Sequence, residues 1–412
     1  MSALSKKDKK SVFIRANPWR VTADASACDN SVRVAHTMPD FEKFIPEHIR
    51  GLTSYTPGKP IRQAEHESGV DCIKMASNEN PFGPSPRAVE AIRSAATQAN
   101  FYPDLEVSQL RLKLAERQQL NPEQVLITAG STQFLDLIAR TLLGPGKNAI
   151  TSERSFIVYP LVTRAAGGKL IEVPMHNDGY DLEAIAAAIN SETRVVYLAN
   201  PNNPTGTMFD ADAMDRFLAR VPEHVIVVLD EAYCDFAESF AAQRRVTYSR
   251  SVEYVRNTRN VVVLRTFSKA HGLAGLRIGY GFGPPELLRH LARVRPAFSV
   301  TAVSEAAALA AFHDAEHVRK TVQNNLQEAP ELVKKLFALG MRTVPTSASF
   351  VYFDVGEDAA ALAQRIQAQG VIVRPLTAWG APSAIRVTVG TPEHNQRFLS
   401  ALKAAMERAA VR

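Results

Sequence analysis

The sequence lacks any apolar run of the roughly 18 residues that a membrane-spanning helix requires, so we expect no membrane partner. It is also poor in cysteine: Cys28, Cys72 and Cys234 are the three cysteines among 412 residues, and none shows Cys-x-x-Cys spacing. This usage excludes a disulfide framework, indicates no metal site and favours a reducing cytoplasm. No apolar segment follows the basic start of the chain, so we expect no secretory signal.

A basic patch within a recognisable nucleic-acid-binding module is absent as well. The net charge of +6 is modest and spread along the chain, which argues against a nucleic-acid partner. The length and the 46% hydrophobic content suffice for a large core in about two or three domains. Residues 1–40 are polar and without periodicity, and we expect them to form a mobile arm.

Seven apolar segments alternate with helical patterns between residues 81 and 296. The predicted strands are 125–128, 148–151, 169–173, 194–199, 225–229, 261–264 and 277–281. Continuous apolar strands separated by helices predict an α/β fold, in which a mostly parallel sheet is covered on both faces. The helix after the first strand is predicted over 133–143.

The pattern changes after about residue 296. A long helical stretch, 301–339, precedes apolar strands at 349–354, 371–374 and 384–389. These segments predict a smaller α+β domain over residues 297–412, beside a large domain over 81–296. Residues 41–80 are expected to join the small domain.

One lysine follows a predicted buried strand in the segment Thr266-Phe267-Ser268-Lys269. Two hydroxyl groups precede Lys269, and Arg277 follows eight residues later. Strand ends are where α/β folds place their chemistry. A lysine beside anion-binding groups suits a Schiff base with a phosphorylated aldehyde cofactor, although a lone Ser-Lys pair more often marks a surface lysine.

Two further strand ends carry polar residues. Asp230 closes a strand and could pair with a protonated ring nitrogen, while Tyr233 could donate to a ring oxygen. A helix-capping aspartate explains Asp230 equally well when it is taken alone. The rigid turn from Asn200 to Gly206 could aim the amide of Asn203 at the same oxygen.

Groups that could bind anions complete the pattern. Ser131 and Thr132 open a helix after a strand, where backbone amides can hold a phosphate, although ordinary capping explains them as well. Arg386 lies in an alternating strand near the end of the chain, and Arg374 ends the apolar strand predicted before it. Each is either a solvent-facing residue or a fork for a substrate carboxylate.

Taken in order, these motifs resemble the fold-type I pyridoxal-phosphate-dependent aminotransferases, and most of all the histidinol-phosphate aminotransferase family. The resemblance covers residues 45–410. It is carried by the segments Ser54–Lys59, Asn78–Pro81, Tyr102–Asp104, Asn202–Gly206, Asp230–Tyr233, Ser268-Lys269, Gly275–Arg277, Val373–Pro375 and Arg386–Thr391. It implies an aspartate aminotransferase-like fold and transamination of histidinol phosphate with 2-oxoglutarate.

The resemblance also implies a role for each matching residue. Lys269 would carry the cofactor and act as the general base, Asp230 would pair with the pyridine nitrogen, and Asn203 and Tyr233 would bind the ring oxygen. The phosphate would be held by Ser131, Thr132, Thr266, Ser268, Arg277 and, from the neighbouring subunit of a homodimer, Tyr102. The substrate-binding residues would be Tyr55, Asn80, Arg374 and Arg386.

Four positions depart from the family's pattern. Thr132 and Gln133 replace an acidic pair, Phe156 replaces the tyrosine that commonly stacks on the ring, and Trp379 replaces a smaller aromatic residue. Aromatic amino acids are therefore an alternative substrate class. A decarboxylase of a phosphorylated amino acid would use the same site, and a regulatory cofactor-binding domain is disfavoured because no DNA-binding module is present.

Overall fold

The structure, a computed structural model, describes residues 40–54, 58–257 and 260–410. The predicted arm, 1–40, therefore lies outside the described residues except for its last position. The chain divides into two units, Met1–Ile45 and Pro46–Arg412. A short 3-10 helix, Phe41–Phe44, is the described element of the first unit. Within the described ranges, no helix combines the length and apolarity needed to cross a membrane.

The second unit contains the other described elements. Its α-helices, α1 to α15, are Glu47–Arg50, Ile61–Ser68, Pro86–Ala96, Ser108–Gln118, Ser131–Leu142, Val158–Ala165, Leu182–Ala188, Ala211–Leu218, Cys234–Arg244, Ser251–Arg256, Pro285–Val294, Ala302–Phe312, Ala315–Ala338, Ala359–Gln367 and Pro392–Ala410. Its strands, β1 to β13, are Ile73–Lys74, Val125–Thr128, Asn148–Ser152, Lys169–Val173, Thr193–Ala199, Ile226–Asp230, Val261–Thr266, Gly279–Phe282, Arg342–Thr343, Phe350–Asp354, Val371–Ile372, Arg374–Leu376 and Ala381–Thr388. Short 3-10 helices occur at Pro122–Gln124, Ala274–Leu276 and Thr377–Trp379.

Seven strands form the large sheet in the order β2-β8-β7-β6-β5-β3-β4. Strand β8 is antiparallel to both of its neighbours, whereas β7, β6, β5, β3 and β4 pair in parallel. The predicted α/β fold with a mostly parallel seven-stranded sheet is confirmed.

The large sheet is apolar on both faces because helices cover both. Along β5, Val196 and Leu198 pack into one core with helices α4 and α8. Val195 and Tyr197 point the other way and pack with α5 and α6. Successive strand residues face opposite sides, so a strand buried on both sides must be apolar throughout. This is why apolar continuity, rather than periodicity, marks these strands.

A second, four-stranded sheet in the order β12-β13-β10-β9 is antiparallel throughout. Its core is filled from α13, α14 and α15. Strand β1 pairs in parallel with β11, which ties residues 73–74 to this part of the chain. This pairing agrees with the expectation that residues 41–80 join the small domain. The boundaries of the domains stay a prediction.

Three predicted elements differ most from the structure. The strand predicted over 371–374 is divided between β11, which pairs with β1, and β12, which pairs with β13. The strand predicted over 277–281 begins at Gly279, because Arg277 adopts a left-handed backbone conformation with φ of 50°. The helical stretch predicted over 301–339 is two helices. Helix α12 ends at Phe312, and Asp314 then caps α13 by accepting a hydrogen bond from the backbone N–H of His317.

Gly279 allows β8 to lie directly against the start of α5. A Cβ atom added at Gly279 would lie 2.6 Å from the backbone nitrogen of Ser131 and 2.9 Å from the carbonyl carbon of Gly130. Both neighbours are backbone atoms, which cannot swing aside as a flexible side chain can. Only glycine therefore permits this separation between the strand and the helix start.

We expect Gly279→Ala to lower the free energy of unfolding by about 1–3 kcal/mol, because the added methyl group must push the start of α5 away. Thermal unfolding measured by circular dichroism checks this. Gly275→Ala is the matched control, since a Cβ atom there meets nothing within 4 Å. Equal melting temperatures for the two variants would contradict the close approach.

Candidate active site

The carboxyl ends of β5, β6 and β7 meet at one edge of the large sheet. Ala199, the last residue of β5, pairs with Asp230, the last residue of β6, and Asp230 pairs with Leu264, two residues before the end of β7. A cavity of about 250 Å³ opens there. Its wall includes most of the residues predicted from the sequence, namely Ser131, Thr132, Phe156, Asn203, Asp230, Tyr233, Thr266, Ser268, Lys269, Arg277 and Arg386.

Lys269 stands three residues beyond the end of β7 and is half-buried. Its Nζ donates a hydrogen bond to the backbone oxygen of Ser77 over 3.2 Å and lies 5.6 Å from the ring centroid of Tyr233. Burial, reinforced by the positive charge of Arg386, lowers the pKa of the Lys269 amine to about 8. Much more of this amine is therefore neutral near pH 8 than of an ordinary lysine, as a nucleophile requires.

Asp230 is the last residue of β6 and is buried at the base of the cavity. Its carboxylate accepts hydrogen bonds from the Tyr159 hydroxyl at 3.0 Å and from the backbone N–H of Ala232 at 3.2 Å. Burial raises the pKa of Asp230 to about 6. A buried carboxylate of this kind favours a cationic partner over water.

The neighbouring acid, Glu231, binds groups outside the cavity. It is fully buried and accepts hydrogen bonds from both Nε and Nη2 of Arg265, at 3.0 and 2.8 Å. The hydroxyls of Ser249 and Ser251 donate to its two oxygens at 2.6 and 3.0 Å. The two adjacent acids therefore have separate tasks, and Asp230 is the one that faces the cavity.

Asn203 and Arg386 come together from different parts of the chain. Nη1 of Arg386 donates a hydrogen bond to Oδ1 of Asn203, and Nη2 donates to the backbone oxygen of Ala76 at 2.9 Å. Arg386 is buried, and its guanidinium carbon lies 5.3 Å from the ring centroid of Phe350. The turn after β5 and the small sheet thus meet at the cavity through this arginine.

Tyr233 is buried beside Lys269, and its hydroxyl oxygen accepts a hydrogen bond of 2.8 Å from Nδ2 of Asn78. Burial raises the pKa of Tyr233, so the hydroxyl keeps its proton. A tyrosine oxygen that already accepts from Asn78 has its own O–H free to donate into the cavity.

The other end of the cavity is suited to an anion. Ser131 and Thr132 form the first turn of α5, where backbone N–H groups have no partner within the helix. Thr266 donates to the hydroxyl of Ser268 at 3.0 Å, and both side chains are buried. The guanidinium of Arg277 lies against Gly130, since a Cβ atom there would meet Nη2 at 2.5 Å.

Arg374 does not line this cavity and is related to it through Arg386, which does. It is the register partner of Arg386 across β12 and β13, so both side chains leave the same face of the small sheet. The two guanidinium carbons lie 5.2 and 5.9 Å from the ring centroid of Trp379. Phe156 lines the main cavity and also a second one, of about 490 Å³, that includes Trp379.

The structure does not bring the predicted residues Tyr102 and Asn80 to the wall of the main cavity. Tyr102 is 83% exposed and packs against the ring of Phe298. The Asn80 amide donates to the backbone oxygen of Ala270 and to Thr321 at 2.8 and 3.0 Å, and it lines other cavities. Tyr55 lies outside the described residues. The substrate-binding roles of Asn80 and Tyr55 therefore stay predictions.

Sequence reasoning assigns no role to two residues that shape the site. Asn78 belongs to the Asn78–Pro81 motif, which by itself indicates only a loop, and its contact with Tyr233 spans 155 positions. Tyr159, which donates to Asp230, lies in α6 and stacks on Tyr197 at 4.8 Å. No motif marks Tyr159, because a buried tyrosine in an apolar helix looks like an ordinary core residue.

Comparison with known proteins gives consistent results. Residues 70–402 match the family model described as aminotransferase class I and II. Histidinol-phosphate aminotransferase 2 of Pseudomonas aeruginosa is 43% identical over 89% of this chain and 98% of its own length. Histidinol-phosphate aminotransferase 1 of Nitrosococcus oceani is 42% identical, covering 87% and 96%.

Solved structures agree. The crystal structure of histidinol-phosphate aminotransferase from Sinorhizobium meliloti in complex with pyridoxal-5'-phosphate has a TM-score of 0.79 and 28% identity, and covers 89% of this chain and 98% of that one. The family match covers most of the segment that carries the motifs, and these relatives align over 87–89% of the chain. The chain therefore belongs to the class I and II aminotransferase family, and its predicted likeness to histidinol-phosphate aminotransferases is confirmed.

Proposed function

We propose that the cavity at the ends of β5, β6 and β7 holds pyridoxal 5'-phosphate, and that the chain uses it to transfer an amino group. The observation that carries the proposal is the arrangement along one cavity of a half-buried lysine, a buried carboxylate and a helix start beside an arginine. These are the groups that an aldehyde, a ring nitrogen and a phosphate respectively require. The residues present fit the cofactor.

When bound, the cofactor supplies an aldehyde that exchanges amines and a ring that accepts an electron pair. Lys269 would hold the aldehyde carbon covalently and then, once displaced, would take the proton from the α-carbon of the donor. Its pKa of about 8 suits both tasks, because the amine must be neutral to attack and basic enough to accept a proton.

Asp230 would hold the proton of the ring nitrogen. Its hydrogen bonds from Tyr159 and Ala232 orient the carboxylate, and burial strengthens its attraction to a cation. Tyr233 would donate its O–H to the ring oxygen, and Asn203 would direct its amide to the same atom. Phe156 would cover one face of the ring with its own aromatic face.

The phosphate would lie at the start of α5. The backbone N–H groups near Ser131 and Thr132, the hydroxyls of Thr266 and Ser268, and the guanidinium of Arg277 would hold it. Helix N-termini favour anions, and arginine can bind two phosphate oxygens at once.

We propose histidinol phosphate as the amino donor and 2-oxoglutarate as the acceptor. The support lies in Arg374 and Arg386, which leave one face of the small sheet as register partners. A guanidinium group can bind a carboxylate or a phosphate through two hydrogen bonds, so this face of the small sheet suits an anionic ligand. Histidinol phosphate, and glutamate as the product formed from 2-oxoglutarate, each carry an anionic group at a distance from the amine.

We further propose a cytoplasmic homodimer with shared sites. The exposed side chains of Phe101, Tyr102, Leu105 and Phe298 form an apolar surface on this subunit. A second copy packed there would carry its own Tyr102 toward this subunit's phosphate. Cys72 and Cys234 are free and buried, as expected in a reducing compartment.

Reduction of the protein with borohydride in the presence of pyridoxal phosphate should attach a pyridoxyl group to Lys269. Peptide mass mapping checks this, because the neutral amine of Lys269 forms the imine that borohydride traps. Lys74, which pairs with Glu79 at 2.7 Å, is a nearby lysine that should stay unlabelled. A pyridoxyl group on another lysine, with Lys269 unmodified, would contradict the assignment.

Wild-type enzyme should show a kcat/KM for histidinol phosphate at least about 100-fold above that for histidinol, because two or more charged hydrogen bonds to the phosphate are lost. Steady-state kinetics with 2-oxoglutarate measure the ratio. Arg374→Ala should lower the ratio of kcat/KM for histidinol phosphate to kcat/KM for histidinol. Arg386→Ala should raise the KM for glutamate. Arg342→Ala, an exposed arginine paired with Asp178, is the control. Weak discrimination by the wild type would instead favour aromatic amino acids as donors.

Shared sites can be tested by placing Lys269→Ala and Tyr102→Phe on the same or on opposite subunits of tagged heterodimers. On opposite subunits, the subunit that keeps Lys269 receives an intact Tyr102 and should bind the cofactor as tightly as wild type. On the same subunit, that site should bind about 10- to 100-fold more weakly, since a hydrogen bond to a charged phosphate is lost. The reverse pattern would show that Tyr102 serves its own subunit.

A further inference from the structure

Another, much smaller cavity is lined in part by Lys269. Its volume is about 10 Å³, and Asn78 and Lys269 line both it and the main cavity. Asn325 from α13 and Ser349, the residue before β10, also line its wall. A cavity of this volume holds one water molecule and nothing larger.

Three polar atoms of this wall have no hydrogen-bond partner among the described residues: Oδ1 of Asn78, Oδ1 of Asn325 and Oγ of Ser349. All three side chains are more than nine-tenths buried. The amide nitrogens are already used, since Asn78 donates to Tyr233 and Asn325 donates to the backbone oxygen of Ala348 at 3.1 Å. Leaving three such atoms unpaired in one place would cost several times a single lost hydrogen bond.

The chemistry of these atoms matches a water molecule. Two of them are amide oxygens, which only accept, and the third is a hydroxyl, which can donate. One water satisfies all three by donating to both amide oxygens and accepting from the serine, the usual number of bonds for a buried water. The carboxylate on the same wall, Glu79, is paired with Lys74, so no free anionic ligand favours a metal ion.

We propose that this cavity is a permanent water site, and that Asn325 and Ser349 act through the water as positioning residues for Tyr233. The water holds Oδ1 of Asn78, which turns Nδ2 toward the Tyr233 hydroxyl. Because that hydroxyl oxygen accepts from Asn78, its own proton is directed into the main cavity. The water site rests on the geometry alone, whereas its effect on the reaction rests on the proposed function.

A crystal structure of the holoenzyme tests the site itself. We expect one ordered water with all three atoms within about 2.7–3.2 Å. An empty cavity would overturn the proposal. A peak with oxygen distances near 2.4 Å would also overturn it, by showing a cation instead. Neither result would bear on whether the enzyme transaminates histidinol phosphate.

Two variants of Ser349 test the role of the water. Ser349→Val fills the cavity with methyl groups, and Ser349→Ala removes the donor, so the second stays informative if the first fails to fold. Both should shift the absorbance maximum of the bound cofactor, because Tyr233 loses its fixed direction. Both should also lower kcat about fivefold with little change in KM, as expected for loss of one net hydrogen bond.

Ser347→Ala is the matched control. Ser347 is buried two residues away, but its hydroxyl accepts from Nη1 of Arg244 at 2.9 Å and lies on no wall of the small cavity. It should change thermal stability without moving the cofactor's absorbance. A wild-type spectrum and kcat in a folded Ser349→Val enzyme would overturn the positioning role, and so would an equal spectral shift in Ser347→Ala.

Discussion

The site depends on one constraint, the level alignment of three parallel strands. Ala199, Asp230 and Leu264 are neighbours across β5, β6 and β7; the first two end their strands, and β7 continues for two residues to Thr266. Asn203 follows the first strand, Asp230 ends the second, and Lys269 follows the third. Residues that are far apart in sequence thereby reach a single cavity, because parallel strands present their carboxyl ends at one edge.

Much of this could be predicted from the sequence, because the determining patterns are local. Strands buried on both faces are continuous apolar runs, and Lys269 and Asp230 each directly follow or end such a run. The motifs, taken together, then indicated a role for each residue, which no residue indicated when it was taken alone. The boundaries that failed, at Arg277 and at His313, depend on a left-handed backbone position and on a helix cap, which apolar periodicity does not encode.

The contacts between distant segments could not be predicted in the same way. The hydrogen bond from Asn78 to Tyr233 and the packing of Arg374 and Arg386 around Trp379 join segments that are adjacent only after folding. The proposed substrate binding rests on the second of these contacts. The motifs therefore predicted the class of reaction. The substrate was predicted only from the resemblance to a family, and the geometry of the small sheet adds support for it.

Asp230 and Glu231 point to opposite faces of the sheet. Binding of the proposed cofactor would therefore depend on the register of β6. A slip of β6 by one residue would exchange the two side chains between faces, placing the acid that serves Arg265 in the cavity and removing Asp230 from it. Such a misaligned sheet would offer the cofactor no properly placed partner. A ligand that binds only the correctly aligned state stabilises that state alone. A bound cofactor would thus stabilise only molecules whose central strands are paired in the correct register, and would increase their share of the population.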